Sequence, residues 1–465
     1  MRWREPGAAG GVVLALACAA QFMVVLDVSV VNVALPTIER ALRFGDAGLQ
    51  WVVNAYVLTF AGFLLLGGRL ADLFGRKRIF LTGLVLFAGA SLAGGLADSA
   101  ALLVAARAVQ GLGAAVLAPA TLTVLTTTFP EGSGRTRALA TWTAVGIAGG
   151  TAGNLVGGVL TEYLSWRWIL LINVPIGALA LLLAARNLAG DHGRRENRLD
   201  VTGAVLATAG LAALTYGIAQ VRTYGWSAPV TTVALTAGAV ALALFVLVEV
   251  RFARAPLIPP HLFRLRAISL GNAVMLLAGA CLNPMWYFLT LYLQKALHYT
   301  PLQTGLGFLP HTLVAIIVGM RLTPWLMRHV DGRALIAAGA LIAAAGFLWQ
   351  GQITADSGYV AGILGPAIVF SVGSGLLNTP ITTTVTSGVD AADAGAASGL
   401  MNTAKQFGGA LGLAVLVTLA GSSADTPQAL AEDYGRVFQA IAAILVVVAA
   451  LAPALRDRDA SRAGR

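Results

Sequence analysis

Charge is scarce in this chain: only 11% of its 465 residues are Asp, Glu, Lys or Arg. A soluble globular domain carries about 25%, so most of the chain does not face water. Cysteine is scarcer still. Cys18 and Cys281 each sit inside an apolar run, so inert buried thiols are expected and no disulfide. Acidic residues number 21 against 31 basic ones, for a net charge of +10. That excess is scattered over short loops and forms neither a stripe nor a tail, which argues against a nucleic-acid partner. There is no P-loop, no metal-ligand spacing and no nucleophile cluster. The glycine-rich stretches lie in apolar runs, not after soluble strands, so a dinucleotide reading fails. No catalytic residue, metal site or cofactor is therefore expected, and the chain does not read as an enzyme. A sensor would need a soluble output domain, and the loops leave no room for one.

What is present is apolar: 57% of the residues are hydrophobic. They recur in low-charge runs near the ~20 residues that cross a bilayer core. The runs are 10–35, 48–68, 79–97, 100–128, 138–163, 167–187, 200–220, 230–250, 268–292, 302–322, 334–353, 359–383, 396–420 and 435–455, giving fourteen expected spans. The N-terminus resembles a signal peptide, with Arg2 and Arg4 ahead of an apolar run and Cys18 after Leu16-Ala17. The run continues to Pro36, too long for a signal sequence, so an uncleaved first helix is expected.

Fourteen spans put both ends on one side. With the termini in the cytoplasm, 23 of the 31 basic residues fall on inner segments and 6 on outer loops, the bias that sets orientation. Gly68-Arg69-Leu70 after span two is echoed by Gly319-Met320-Arg321-Leu322 after span ten. The sequence thus reads as an all-α membrane protein. Six-helix bundles at 1–190 and 267–465 flank two inserted helices at 191–266, an architecture of transporters. A monomer in the inner (cytoplasmic) membrane is expected, with the lipid bilayer as its surroundings.

An ionisable residue deep in a span costs roughly 2.5–3.5 kcal/mol on insertion scales, so it is a functional candidate by default. Asp27 is the one clearly deep acid; Glu162 and Glu249 lie near span ends. Arg107 is a deep base, and Lys405 also falls within a span. Counted from Pro36 and Ala100, Asp27 and Arg107 both sit about 10–14 Å below the outer boundary, so on neighbouring helices they can meet. A carboxylate in a poorly hydrated cavity prefers to be neutral, and a nearby arginine prefers it ionised. Changing that balance as a cavity opens to either side makes a proton carrier; the plainer alternative is a static ion pair. Gln110 follows Arg107 by three residues on the same helix face.

Gly67 to Arg78 joins spans two and three on the inner side, with glycines suited to a tight turn and close helix approach. Asp72 among four basic residues offers an ion-pair latch, which makes Gly68, Asp72, Gly75 and Arg76 candidates for a conformational switch. The alternative is positive-inside anchoring. Gly149, Gly153 and Gly157 form one stripe of span five, with Gly150, Asn154 and Gly158 beside it. Small residues every fourth position allow close packing or a hinge. Asn54, Tyr56, Trp286 and Tyr287 are candidates to line a substrate cavity by polar contact or stacking. Trp51 and Trp166 read as interfacial anchors. His311 could titrate near neutral pH, or sit neutral and hydrogen-bonded.

Taken together these motifs resemble the major facilitator superfamily, and within it the fourteen-helix drug:proton antiporters, over nearly the whole chain. Leu26 to Pro36 looks like the subfamily's first-helix motif, with Asp27 on its acidic position. Gly68 to Arg78 looks like the superfamily's inner loop. Arg107-Ala108-Val109-Gln110-Gly111-Leu112-Gly113 looks like the fourth-helix motif, whose arginine is linked to proton transfer. Ser165-Trp166-Arg167-Trp168 and Asn173-Val174-Pro175-Ile176-Gly177 resemble further signatures. The resemblance implies proton-driven export of small amphipathic molecules by alternating access, with antibiotics, dyes or a self-made metabolite as substrates and protons as co-substrate. A symporter or uniporter of a physiological solute is the alternative on the same fold. One departure stands out: Gly153-Asn154-Leu155-Val156-Gly157-Gly158 places an amide where the family's fifth-helix motif has proline. Asn154 thereby becomes a candidate substrate contact. With no deep carboxylate beyond Asp27, neutral, anionic or monocationic substrates fit better than dications.

Overall fold

A computed structural model of the chain describes residues 8–129, 133–188, 200–252, 260–354, 357–386, 394–420 and 426–455. Every regular element among them is helical. Thirteen helices are long and apolar enough to cross a membrane. A fourteenth, Ala394–Leu419, has 26 residues, about 39 Å at ~1.5 Å per residue. Asn402, Lys405 and Gln406 in its first half make it more polar than the rest. The chain is an all-α, multi-pass membrane protein.

Span four runs Ala100–Thr128, the residues expected from its apolar run. Ser99 caps it by accepting from the Leu102 amide at 3.4 Å, which satisfies one orphan donor of the first turn. Span one overshoots its expected end. It continues through Pro36 to Leu42, and the turn comes at Arg43, with φ of 51°. Proline removes one hydrogen bond and crowds the carbonyl four residues back, yet the helix continues through it. The helix end therefore lies about 22 Å from Asp27 at ~1.5 Å per residue, beyond the end expected at Pro36. Gly67 and Gly68 also depart from expectation. They lie inside the helix Trp51–Phe74, and the tight turn falls on Gly75 alone, at φ 90° and ψ 136°. The close approach expected there is real: a Cβ on Gly67 would stand 2.1 Å from the Ala115 carbonyl oxygen.

The chain forms two compact units, Met1–Thr208 with Thr300–Leu306, and Ala209–Tyr299 with Gly307–Arg465. In the first, the glycine stripe of span five lies against span one. A Cβ on Gly149, Gly153 or Gly157 would meet the carbonyl oxygens of Phe22, Leu26 or Val30 at 3.1, 3.0 and 2.8 Å. Span five is thus seated on the turns of span one around Asp27. Its other small face receives the start of span ten, where a Cβ on Gly158 would stand 2.7 Å from the Pro301 carbonyl oxygen. Glu162 completes that contact by accepting the Leu302 amide at 2.9 Å, a carboxylate at a helix N-terminus. Ala17, Leu125, Phe129 and Ala138 close an apolar cluster that joins spans one, four and five.

The second unit begins within the first inserted helix, Val201–Tyr224, at Ala209, and there this helix and Pro229–Leu247 approach closely through Gly210 and Gly238. A Cβ on Gly238 would lie 2.8 Å from the Gly210 carbonyl oxygen. Thr418 of span thirteen donates to the Ile218 carbonyl at 3.1 Å. Aromatic side chains fill the interior: Phe347 stacks on Phe370 at 4.7 Å between centroids, and Phe438 follows at 6.2 Å.

Candidate functional site

Five spans of the first unit converge on one buried polar network. Asp27 of span one is fully buried, and Arg107 of span four is 2% exposed. Arg107 Nη1 donates to Asp27 Oδ2 at 2.5 Å and to Gln110 Oε1 at 2.7 Å. Its Nε donates to the Val52 carbonyl on span two at 3.0 Å. Its guanidinium carbon lies 4.4 Å from the ring centroid of Tyr56, a cation–π contact. Gln110 Nε2 donates to Asp27 Oδ1 at 2.7 Å and to Ser91 Oγ on span three at 2.6 Å. Asn173 of span six donates to Asp27 Oδ1 at 3.1 Å.

This arrangement follows from helix geometry. Arg107 and Gln110 are one turn apart on one face, so both reach Asp27. Span four can lie close enough to span two because Gly111 has no side chain; a Cβ there would stand 2.3 Å from the Tyr56 carbonyl oxygen. Thr59 then bridges the two helices by donating to the Ala108 carbonyl at 2.8 Å. Span three is fixed from outside by Arg167, which donates to the Gly95 and Ala97 carbonyls at 3.0 and 2.6 Å, a cation on the last carbonyls of a helix.

The expected pair of Asp27 and Arg107 is thus formed, with Gln110 and Tyr56 around it. Ser91 and Asn173 also belong to the network, and the sequence reading gave them no site role. Asn173 had a usable signal, an amide opening an apolar helix. Ser91 had none, since a lone serine in a span is ordinary.

The other candidates lie apart from this network or inside packing. Asn54, on span two, is fully buried with neither amide atom hydrogen-bonded. Asn154 is 3% exposed, and its side-chain oxygen is likewise without a partner. A Cβ on Gly305 would meet the Asn154 carbonyl oxygen at 2.4 Å. The space beside the Gly158 face is therefore taken up by the backbone of span ten. In the second unit His311 is buried among rings, with Trp286, Phe370 and Phe308 at 4.9, 5.5 and 5.7 Å. Its Nδ1 faces Ser371 Oγ at 3.4 Å and its Nε2 has no partner. Tyr287 is buried edge-on to Phe288.

Trp166 is 5% exposed beneath the Arg167 guanidinium, 4.9 Å from its ring. It packs inside the first unit and is no surface anchor, because the ring is needed to carry the arginine that holds span three. Of the proposed switch, Gly75 forms the turn and Arg76 opens span three, Arg76–Gly95. The next residue, Lys77, donates to the Ala185 carbonyl of span six at 2.7 Å. Gly68 is a packing position, where a Cβ would stand 3.7 Å from Pro119. The side chain of Asp72 lies outside the described residues. Among the described residues no cluster of His, Cys, Asp and Glu could hold a metal.

Known proteins resemble this chain over most of its length. It is 58% identical over 445 residues to the cephamycin export protein CmcT of Amycolatopsis lactamdurans, covering 95% of this chain and 92% of that one. It is 41% identical to the puromycin resistance protein pur8 of Streptomyces alboniger, covering 87% and 81%. It is 35% identical to the lincomycin resistance protein of Streptomyces lincolnensis, covering 86% and 82%. Among solved structures, a peptide transporter POT in complex with sulfate superimposes with a TM-score of 0.70 at 17% identity, over 97% of this chain and 95% of that one, a likeness of fold. The model of the Major Facilitator Superfamily matches residues 17–413, and this chain belongs to that superfamily.

Proposed function

We propose that this protein exports an antibiotic of the cephamycin type across the cytoplasmic membrane, driven by the proton gradient, with both termini inside. The observation that carries the proton step is the network around Asp27. Both carboxylate oxygens are engaged by Arg107, Gln110 and Asn173, and the group is closed off from solvent. When a proton neutralises Asp27, Arg107 keeps the Val52 carbonyl, the Gln110 oxygen and the Tyr56 ring. The arginine is therefore not stranded, and one charge can be taken up and released without collapse of the site. The buried side-chain amide of Asn54 is a proposed substrate contact of the first unit, and His311 is one of the second. Asn154 is a further proposed contact.

The substrate class is supported by the 58% identity to a cephamycin export protein. Inverted membrane vesicles test the reading. Acidifying their interior should drive accumulation of labelled cephamycin, and adding cephamycin should release protons from the lumen, as read by a pH dye. Accumulation that ignores the pH gradient would overturn the coupling. Absence of cephamycin transport would overturn the substrate.

A further inference from the structure

The second unit carries a charge that the proton network does not use. Lys405 lies 11 residues into the helix Ala394–Leu419, roughly 16 Å from its start at ~1.5 Å per residue. Spans nine to thirteen contain no Asp or Glu. Among the described residues Lys405 has no ion-pair partner. This is the opposite of Arg107, whose carboxylate is 2.5 Å away.

Packing holds the lysine in place. A Cβ on Gly279 of span nine would stand 2.1 Å from the Lys405 carbonyl oxygen, one on Gly408 2.0 Å from that of Leu276, and one on Gly412 2.4 Å from that of Ala280. Spans nine and thirteen therefore interlock from Lys405 through Gly412. The next residue, Gln406, accepts from Asn283 of span nine at 3.5 Å, a further tie between the two helices. A cation at this depth is costly unless something pairs with it. Among the described residues no carboxylate of these spans does so, and an anionic ligand can supply the counter-charge.

We propose that Lys405 anchors the ionised carboxylate of an anionic amphipathic substrate. This rests on the export reading and names the charge of its substrate: the nucleus of a cephamycin carries one carboxylic acid, ionised at neutral pH. Asp27 is already paired in the first unit, so the free deep charge selects for anions over cations.

The test is calorimetric binding to the purified full chain, with cefoxitin and its uncharged methyl ester as probes. The wild type should bind the acid at least about tenfold more tightly than the ester, ~1.4 kcal/mol. Lys405→Gln should lose that preference with ester affinity unchanged, and Lys405→Arg should keep it. Equal wild-type affinities for acid and ester would overturn the proposal without any variant, as would a Gln variant that retains the preference. Should Lys405→Gln not fold, the wild-type comparison and Lys405→Arg decide. If neither β-lactam binds the wild type, the substrate named by the export reading falls. The anchor is then judged by the same criteria on anilinonaphthalene sulfonate against neutral phenylnaphthylamine.

Discussion

At the scale of single residues, the two ends of the buried ion pair are not equivalent. Removing Arg107 leaves a carboxylate in the protein interior with only the amides of Gln110 and Asn173. Breaking a buried pair in this way costs about 3–5 kcal/mol. Asp27→Asn keeps an acceptor oxygen for Arg107, which also retains Val52, Gln110 and Tyr56. Arg107→Ala should therefore lower the melting temperature in detergent well below that of Asp27→Asn; equal losses would contradict the asymmetry. Asn154 offers a second residue-scale test. As a substrate contact, Asn154→Ala should change the ranking of exported compounds at a nearly constant melting temperature. A uniform loss accompanied by destabilisation would assign it to packing. Much of the site was legible at this scale. Asp27 and Arg107 were visible because charge is so rare in apolar runs, and Gln110 because it follows Arg107 by one turn. Ser91 and the acceptor carbonyl of Val52 were not, since the one is an ordinary residue in a span and the other is a backbone atom.

At the scale of elements, glycine decides how closely helices approach, and not every glycine does so. A Cβ on Gly153 would sit 2.6 Å from Ser29 Cβ and 3.0 Å from the Leu26 carbonyl oxygen, whereas one on Gly89 would meet nothing within 4 Å. Gly153→Ala should cost about 1–3 kcal/mol by overpacking and slow transport by shifting span one at Asp27. Gly89→Ala should be neutral or slightly stabilising. Thermal melts of the two variants check this, and a harmless Gly153→Ala would refute the seating of span five on span one. The sequence showed the stripe at Gly149, Gly153 and Gly157 but not which helix it meets, because a spacing names no partner. It also misjudged the inner loop. Gly67 and Gly68 looked like a turn, yet only Gly75 takes a positive φ. Gly75→Ala should cost about 1–3 kcal/mol in backbone strain, while Gly68→Ala, with Pro119 at 3.7 Å, should be tolerated. Asp72→Ala should slow turnover and leave equilibrium binding of substrate nearly unchanged; a large loss of binding at unchanged turnover would contradict a switching role.

At the scale of the whole molecule, thirteen of the fourteen expected spans are helices long and apolar enough to cross a membrane, and several of their ends were not readable. Helices run past the apolar runs that mark them, as span one does from Pro36 to Leu42, and hydropathy is silent about that excess. Span thirteen was found by its apolar second half, even though Asn402, Lys405 and Gln406 weaken the signal of its first half. Orientation rests on the bias of basic residues and is testable because both native cysteines are buried. Gly134→Cys, in an exposed position with open space around it, should react with an impermeant maleimide only from the cytoplasmic side. Ser227→Cys, exposed between spans seven and eight, should react only from outside; the reverse pattern would invert the topology. The central claim, that Asp27 couples substrate export to protons, is tested most directly by one measurement: cephamycin transport in proteoliposomes by wild type and Asp27→Asn, with and without a pH gradient. The variant should still exchange labelled for unlabelled substrate across the membrane but gain no accumulation from the gradient. Gradient-driven accumulation by Asp27→Asn equal to that of the wild type would contradict it.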